Sequence, residues 1–412
     1  MRRFSIIGLI VLIGFTIDLF GQEKSRFDLS GQVRHRFEMS DRSFGAENEP
    51  NNYNLLRSRL NVTLTPMRDV EAFFQVQDSR RFGEETSTLK DGSADNLDMH
   101  QVYFNIKELF NLPVNVKVGR MEVAFANERI VGPVGWDNIG RSFDGIIVNV
   151  HGRNVSADFF NLKQVDRMTP GDTGDLNGIG TNIDFKLAKN YKTQALVLWQ
   201  KAVPSSELSR VTLGFYAKGT HGGLQHETEF YYQTGTITPA SSIGEQDVQA
   251  YMAALNVWYT FAELGIKPAV SLGVEYLSGD DNMADNKYKV FNTLYATNHK
   301  FYGYMDYFLN IPKHTYGLGL VDMNAKVSFK PVNKLKAKAI FHIFNSSEEY
   351  TLNDGSMAND FGSELDVVLN YQYNKRFSFV GGLSLFTPGS IFRETKGKDS
   401  SLWFFLMSTV NL

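Results

Sequence analysis

Alternation of apolar and polar residues, with a period of two, runs through almost the whole of this 412-residue chain. In "LRSRLNVTLT" (56–65), leucine and valine dominate one face, while arginine, asparagine and threonine occupy the other. The pattern recurs in "FDLSGQVRHRFEM" (27–39), "GIGTNIDFKLA" (178–188) and "SELDVVLNYQY" (363–373). Alternation sustained over ~9–11 residues is typical of tilted strands that cross a bilayer. The sequence therefore predicts about eighteen membrane-spanning β-strands.

The connections between these segments alternate between short and long. Bacterial outer-membrane barrels have short periplasmic turns and longer extracellular loops, and an even strand count leaves both chain ends on the periplasmic side. The short connections are "PMRD" (66–69), "HGRN" (151–154), "AKNY" (188–191), "THGG" (220–223), "KPVN" (330–333) and "NKR" (374–376), and the long ones are 42–53, 82–96, 123–142, 164–178, 234–247, 278–315, 345–361 and 387–401.

A soluble β-sandwich or propeller is the alternative all-β fold. Soluble strands average only ~5–6 residues, which is shorter than the segments found here. Aromatic residues also cluster towards the ends of the apolar faces, as in the girdles of membrane barrels. We therefore predict an all-β, transmembrane, antiparallel up-and-down β-barrel. The aromatic residues are Phe159, Phe160, Tyr231, Tyr232, Trp258, Tyr259, Tyr371 and Tyr373.

The first 21 residues have the features of a signal peptide. Arg2 and Arg3 precede the apolar stretch 4–17, which is short for a bilayer-spanning helix, and Leu19 and Gly21 form an acceptable cleavage site. An N-terminal anchor helix is the alternative. We predict an exported protein with its barrel domain at 22–412, located in the bacterial outer membrane as a multi-pass β-barrel.

Composition excludes several functional classes. The chain has no cysteine, and its 42 basic and 45 acidic side chains nearly balance, so we expect no disulfide, no thiolate metal site and no nucleic-acid partner. The eight histidines lack a metal-ligand spacing, and no nucleophile-elbow motif appears. We predict neither enzymatic activity nor a cofactor. Asp280, Asp281 and Asp285 in "SGDDNMADN" (278–286) are a weak candidate cation site, for which a solvated loop is the preferred interpretation.

Two long stretches resemble the alginate-export family of outer-membrane porins. They are "KVGRMEVAFANERIVGPVGWDNIGRSFDGIIV" (117–148) and "LRSRLNVTLTPMRDVEAFFQVQDSR" (56–80). The resemblance implies an eighteen-stranded barrel with an arginine-rich lumen that passes a polyanionic uronic-acid polymer. It also implies pore-lining roles for Arg57, Arg59, Arg120, Arg129 and Arg141, with Asp144 as an acidic partner.

The polar strand faces must line the lumen, because an arginine or lysine facing lipid at the bilayer midplane costs ~2–4 kcal/mol. Twelve of the seventeen arginines after residue 21 precede residue 146, and none lies between Arg210 and Arg376. One wall of the pore is therefore expected to be rich in guanidinium groups, which bind carboxylates in two-pronged fashion. Pairing with lumen carboxylates is the structural alternative. The predicted pore-lining set is Arg34, Arg36, Arg57, Arg59, Arg120, Arg129, Arg141, Asp144, Asp184, Glu364 and Asp366.

The long connection 123–142 is the candidate constriction. It carries Arg129, Trp136, Asn138 and Arg141, and Gly132, Gly135 and Gly140 permit tight bends. We expect this loop to fold into the barrel and narrow the channel. An ordinary surface loop is the alternative.

These patterns together favour a channel for the passive passage of anionic solutes, above all acidic oligo- or polysaccharides of uronate type such as alginate. A general-diffusion porin is one alternative. A surface receptor or adhesin is another, in which the loop 278–315 binds a partner through its aromatic residues. Expected partners are an anionic carbohydrate or other small anion, outer-membrane lipid and a periplasmic export or uptake partner. The aromatic residues are Tyr288, Phe291, Tyr295, Phe301 and Tyr302.

Overall fold

The computed structural model describes residues 26–45, 50–85, 96–165, 175–203, 208–239, 244–282 and 284–412. The predicted signal peptide, 1–21, lies outside the described residues. Eighteen long strands account for most of the described chain. They are β1 (Arg26–Asp41), β2 (Asn51–Met67), β3 (Val70–Arg81), β4 (Leu97–Ile106), β5 (Val114–Met121), β6 (Phe143–His151), β7 (Val155–Val165), β8 (Asp175–Ala188), β9 (Tyr191–Val203), β10 (Leu208–His221), β11 (Leu224–Ile237), β12 (Gln246–Thr260), β13 (Ala269–Leu277), β14 (Leu320–Val332), β15 (Leu335–Thr351), β16 (Met357–Gln372), β17 (Phe377–Pro388) and β18 (Ser401–Asn411).

Each strand pairs antiparallel with the next strand in sequence, and the first pairs with the last. The closing register sets Gln32 of β1 opposite Asn411 of β18. Closure removes the free sheet edges, which the hydrocarbon interior of a membrane does not tolerate. The predicted fold class and strand number are confirmed. A two-residue segment, Lys287–Tyr288, adds a short parallel pairing to β12.

The alternation places apolar residues outside the barrel and polar residues inside, the reverse of a soluble protein. On β1 the side chains of Phe27, Leu29 and Val33 are exposed, whereas Arg34 and Arg36 are buried in the interior. The same inversion is seen on β10, where Leu213 and Phe215 are exposed and Arg210 and Thr212 are buried. The exposed apolar band faces lipid, where each buried charge would be costly.

The connections differ between the two ends of the barrel. Those at one end are 68–69, 107–113, 152–154, 189–190, 222–223, 261–268, 333–334 and 373–376, and the two longest at the other end are 122–142 and 278–319. The prediction of a long connection at 345–361 was wrong. The β15–β16 hairpin continues through bulged pairing as far as Thr351 and Met357, so that only 352–356 lies between these strands.

Helical structure is confined to short pieces in the described residues. The α-helix α1 (Ser390–Thr395) follows β17, and 3-10 turns occur at Leu109–Asn111, Asn298–Lys300 and Lys313–Thr315. None of the helices in the described ranges has the length and apolarity required to cross a membrane.

Candidate functional site

Two connections, 122–142 (inner loop 1) and 278–319 (inner loop 2), pack against side chains on the interior face of the barrel. They also bond to each other: the Gly132 amide donates to the Tyr295 carbonyl at 2.8 Å, and the Tyr295 amide donates to the Ile130 carbonyl at 2.9 Å. A third bond joins the Thr297 amide to the Glu128 carbonyl at 2.9 Å. The space left between the loops and the strands is therefore the candidate functional site.

Inner loop 1 lies against four arginines of β1 and β2, here called the arginine wall: Arg34, Arg36, Arg57 and Arg59. Arg34 donates from Nη1 to the Gly135 carbonyl at 2.8 Å and from Nη2 to the Asp137 carbonyl at 2.7 Å. Arg36 donates to the Trp136 carbonyl at 2.6 Å. The fork of one guanidinium thus bridges two carbonyls, which a single ammonium group cannot do with the same fixed geometry.

The remaining contacts extend this arrangement along the loop. Arg57 donates to the same two carbonyls as Arg34, at 3.3 and 3.2 Å. Arg59 reaches the Ile139 carbonyl at 3.2 Å, and the Ser79 hydroxyl donates to the Asn138 carbonyl at 2.8 Å. All five successive carbonyls from 135 to 139 therefore accept hydrogen bonds from side chains of β1–β3. Since buried backbone carbonyls need partners, these bonds hold the loop in place.

The arginine wall is only partly neutralised. Arg36 pairs with Glu38 at 2.7 Å, and Arg59 pairs with Glu122 at 3.1 Å. Arg34 and Arg57, each about 5% exposed, form no ion pair with any described carboxylate. Burial favours a higher pKa for Glu122, but the hydrogen bond to His100 and the charge of Arg59 outweigh it and lower the pKa of Glu122 below its ordinary value.

Trp136 and Asn138 fix the tip of inner loop 1. The Trp136 ring lies between the Arg36 guanidinium, 4.4 Å from its centroid, and the His299 ring, 4.3 Å away and nearly parallel. Asn138 donates to the carbonyls of Leu56 and Arg80 at 3.3 and 3.4 Å. Both side chains are engaged in packing the loop against its surroundings.

Arg129 joins inner loop 1 to the opposite part of the barrel. It donates to Glu229 of β11 at 2.8 Å and forms a two-pronged pair with Glu275 of β13, with one bond of 2.5 Å. Its guanidinium also lies 3.7 Å from the Phe301 ring centroid. Burial acts to lower the pKa of Arg129, but the two carboxylates prevail and raise that pKa well above its ordinary value.

Arg141 bonds to both inner loops. It donates to the carbonyls of Gly132 at 3.3 Å and Ala296 at 3.4 Å, and also to the Tyr295 carbonyl. Burial lowers the pKa of Arg141. Arg141 acts as a clamp between the loops.

The other predicted residues lie on three parts of the barrel: β5 and β6, β8, and β16. Arg120 and Asp144 pair at 3.0 Å on the outward face of β5 and β6, in phase with Val118 and Ile146, so the prediction that they line the lumen was wrong. The phase is fixed by Met121 and Phe143, the buried side chains that face inward. Charge on an outward face is tolerated here because both residues lie next to inner loop 1, at the end of their strands.

The predicted carboxylates face inward. Asp184 of β8 accepts a bond from Asn182 at 3.2 Å. Glu364 and Asp366 of β16 are fully buried: Glu364 accepts from the Met305 amide at 2.8 Å, and Asp366 accepts from the Ser384 hydroxyl at 2.5 Å. Glu364 thus holds inner loop 2 to the wall.

A cavity of about 480 Å³ lies beside the inner loops, on the side of β10–β15. Five basic and two acidic side chains line it. We call it the lysine cavity, after Lys218, Lys300, Lys326 and Lys338. A second cavity of about 410 Å³ is lined in part by the same residues, namely Lys300, Phe301, Lys326 and Lys338.

The lysines of this cavity differ in their partners. Lys218 pairs with Glu227 at 2.8 Å, and Lys300 pairs with Glu128 at 3.3 Å. Lys338 donates to the neutral Tyr304 hydroxyl at 2.9 Å. Lys326 has no hydrogen bond or ion pair within the part of the chain that the structure describes.

The sequence prediction missed these lysines because it considered only the distribution of arginine along the chain. The sequence nevertheless indicated them. Lys326 and Lys338 lie on polar strand faces between Arg210 and Arg376, where the chain has no other arginine. The positive charge on the lumen face of these strands is supplied by lysine, beside buried carboxylates such as Glu229 and Asp322.

The candidate cation site and the aromatic residues of the receptor alternative lie in inner loop 2. Asp280, Asp281 and Asp285 surround the Lys289 ammonium group, which lies 4.0 Å from Asp280 and 3.9 Å from Asp285 and bonds to Asp281. That hydrogen bond lowers the pKa of Asp281. In the described residues no cluster of three or more metal-binding side chains occurs. The aromatic residues proposed for a receptor surface include Phe291, Phe301 and Tyr302, which are buried in the interior.

Comparisons with known proteins agree with this architecture. A family profile described as "Alginate export" matches residues 25–405. No protein with a curated description matches the sequence.

Solved structures of similar fold include two from Pseudomonas aeruginosa and one from Acinetobacter baumannii. OccAB4 of A. baumannii has 9% identity and a TM-score of 0.62, with 94% of this chain and 98% of that one covered. OccK11 of P. aeruginosa has 11% identity and a TM-score of 0.58, with 94% and 96% covered. OpdK of P. aeruginosa, solved with vanillate, has 12% identity and a TM-score of 0.58, with 93% and 98% covered. At these identities the likeness concerns the fold alone.

Proposed function

This chain belongs to the alginate export family, and we propose that it is a channel for anionic solutes, above all acidic sugars of uronate type such as alginate. It is an outer-membrane β-barrel, with eighteen strands and an apolar exterior. Channel function follows from the family and from the porin fold. The charge and chemistry of the solute are the part that we propose.

The observation that carries the proposal is the excess of basic side chains around the lysine cavity. Five basic groups and two carboxylates line it. Arg129, Lys218 and Lys300 are ion-paired, so the positive charge without a paired carboxylate is that of Lys326 and Lys338. Clefts lined by one sign of charge, with walls of low dielectric constant, concentrate ions of the opposite sign. Several weak basic sites in series also allow an anion to leave as well as to enter.

The arginine wall adds to this charge. Arg34 and Arg57 lack carboxylate partners among the described residues, so their field is compensated mainly by carbonyl dipoles. A solute with repeated carboxylates and hydroxyls suits a lumen that offers cations beside neutral polar groups such as Asn127, Asn256 and Ser271. Uronate polymers have this composition.

The test is the reversal potential of the purified barrel in a planar bilayer across a KCl gradient. We expect the sign of the reversal potential to correspond to a preference for chloride over potassium, because the cavity carries excess positive charge. The double variant Lys326→Gln/Lys338→Gln should move the potential towards zero. The control Lys334→Gln/Lys375→Gln removes the same amount of charge from exposed turns and should leave the reversal potential nearly unchanged.

A wild-type barrel with no preference, or with a preference for potassium, would contradict the proposal. No preference together with high conductance would indicate a general-diffusion porin. Absence of conductance in a correctly folded barrel would favour the receptor alternative.

A further inference from the structure

We infer that Lys326, Lys338 and Trp258 form a binding subsite for one acidic sugar residue, with the lysines on its carboxylate and the tryptophan against its ring. This inference rests on the proposed function and names the residues that would bind the solute. The subsite lies in the lysine cavity, which Arg129 also lines, and not at the arginine wall.

The charges of Lys326 and Lys338 are the first argument. In the sheet, Lys326 of β14 lies opposite Ile340, and Lys338 of β15 lies opposite Ser328. The two lysines are thus diagonal neighbours on one face, a relation that brings backbone positions within ~7–8 Å. Like charges at this spacing repel. No described carboxylate lies within ion-pair distance of either lysine, and Glu275 and Asp322 attract Lys326 only from farther away. An anion placed between them removes the repulsion and gains two attractive contacts.

The lining of the cavity is the second argument. Trp258, predicted from the sequence to lie in a lipid-facing girdle, instead presents its large apolar ring to the cavity. The Lys218 ammonium lies 5.0 Å from that ring's centroid. Asn256, Ser271 and Ser328 supply neutral groups that can exchange hydrogen bonds with hydroxyls. An apolar platform with a few convergent polar groups, in a volume of about 480 Å³, has the features of a small-molecule site.

The state of the arginine wall is the third argument. Its guanidinium groups are already bonded to four carbonyls of inner loop 1, those of residues 135, 136, 137 and 139. A solute would have to displace the loop to reach them. Lys326 needs no such displacement, because it holds no partner in the described structure, and Lys338 would exchange only the Tyr304 hydroxyl.

The experiment measures the block of chloride current by a mannuronate trimer in planar bilayers. We expect Lys326→Gln/Lys338→Gln to raise the half-blocking concentration about tenfold, the change expected for loss of two partly buried ion pairs. Lys326→Arg/Lys338→Arg should retain block, as should the turn control Lys334→Gln/Lys375→Gln. A neutral trisaccharide should block neither the wild-type barrel nor any of these variants. Heat-modifiable migration on gels verifies that each variant is folded.

A second variant separates recognition of the ring from recognition of charge. Trp258→Leu should weaken block by the mannuronate trimer while leaving block by succinate, a dicarboxylate without a ring, unchanged. Equal weakening of both would assign Trp258 a structural role and overturn its part in the subsite.

The outcomes distinguish this inference from the proposed function. If the wild type prefers chloride but is not blocked by the trimer, or if the lysine double variant is blocked as strongly as the wild type, the subsite is wrong and the anion channel stands. If the wild type shows no chloride preference, both fail. If block is lost only when Arg34 and Arg57 are replaced, the solute binds at the arginine wall instead.

Discussion

The arginine wall and the lysine cavity carry the same sign of charge but have different roles. On the arginine wall, guanidinium groups donate to the carbonyls of Gly135 and Asp137 in inner loop 1 and fix its position. In the lysine cavity, compact ammonium groups line a space of about 480 Å³, and Lys326 has no bonded partner among the described residues. The comparison teaches that a basic residue in a lumen is available to a solute where it does not hold the backbone of a loop in place.

Deletion of residues 130–140 should have the largest effect on this division of roles. The segment contains the whole run of carbonyls that the arginine wall binds, so its removal exposes Arg34 and Arg57 to the lumen. We expect a severalfold rise in single-channel conductance, together with stronger chloride preference. Unchanged conductance would show that inner loop 1 does not narrow the channel.

Breaking the buried link between the two regions comes next. Arg129→Met leaves Glu229 and Glu275 buried without their cation, which should cost ~3–5 kcal/mol of unfolding free energy. Urea-induced unfolding of the refolded barrel measures this loss. Arg80→Met, which removes a partly exposed pair with Asp78, is the control and should cost no more than ~1 kcal/mol. Similar losses in both variants would mean that Arg129 does not brace the interior.

The smallest expected effect concerns geometry at constant charge. Arg34→Lys/Arg57→Lys keeps both charges but loses the Arg34 fork, which bridges the carbonyls of Gly135 and Asp137. It also loses the Arg57 fork, which joins the same carbonyls through Nη1 to the Gln32 side chain through Nη2. We expect chloride preference to persist while current noise increases, because inner loop 1 is held less firmly. A quiet current like that of the wild type would indicate that charge alone, and not the guanidinium fork, positions the loop.

Much of the barrel could be predicted from the sequence, and the limits of prediction appear at particular residues. Arg34, Arg36, Arg57 and Arg59 were assigned to the lumen from alternation, and their side chains lie on the interior face. Arg120 was assigned inward and points outward, because alternation gives the face of a strand only where its phase is clear. In β5 the inward face ends in Met121, whose apolar side chain packs with the interior cluster.

The roles of the arginines were beyond the reach of sequence patterns. The choice between carboxylate pairing and solute contact did not include backbone carbonyls as partners for Arg34 and Arg57. Those carbonyls belong to residues 135 and 137, about a hundred positions from Arg34 in sequence. No local pattern reports such a contact.

The sequence by itself determined the membrane barrel, its strand number and its closed antiparallel order. It did so because a period of two is a local property, and because lipid on one face and water on the other impose it on every strand. Only the tertiary structure decided which basic groups remain available to a solute. That outcome depends on where two long loops lie across the interior, and so on contacts between residues far apart in the chain.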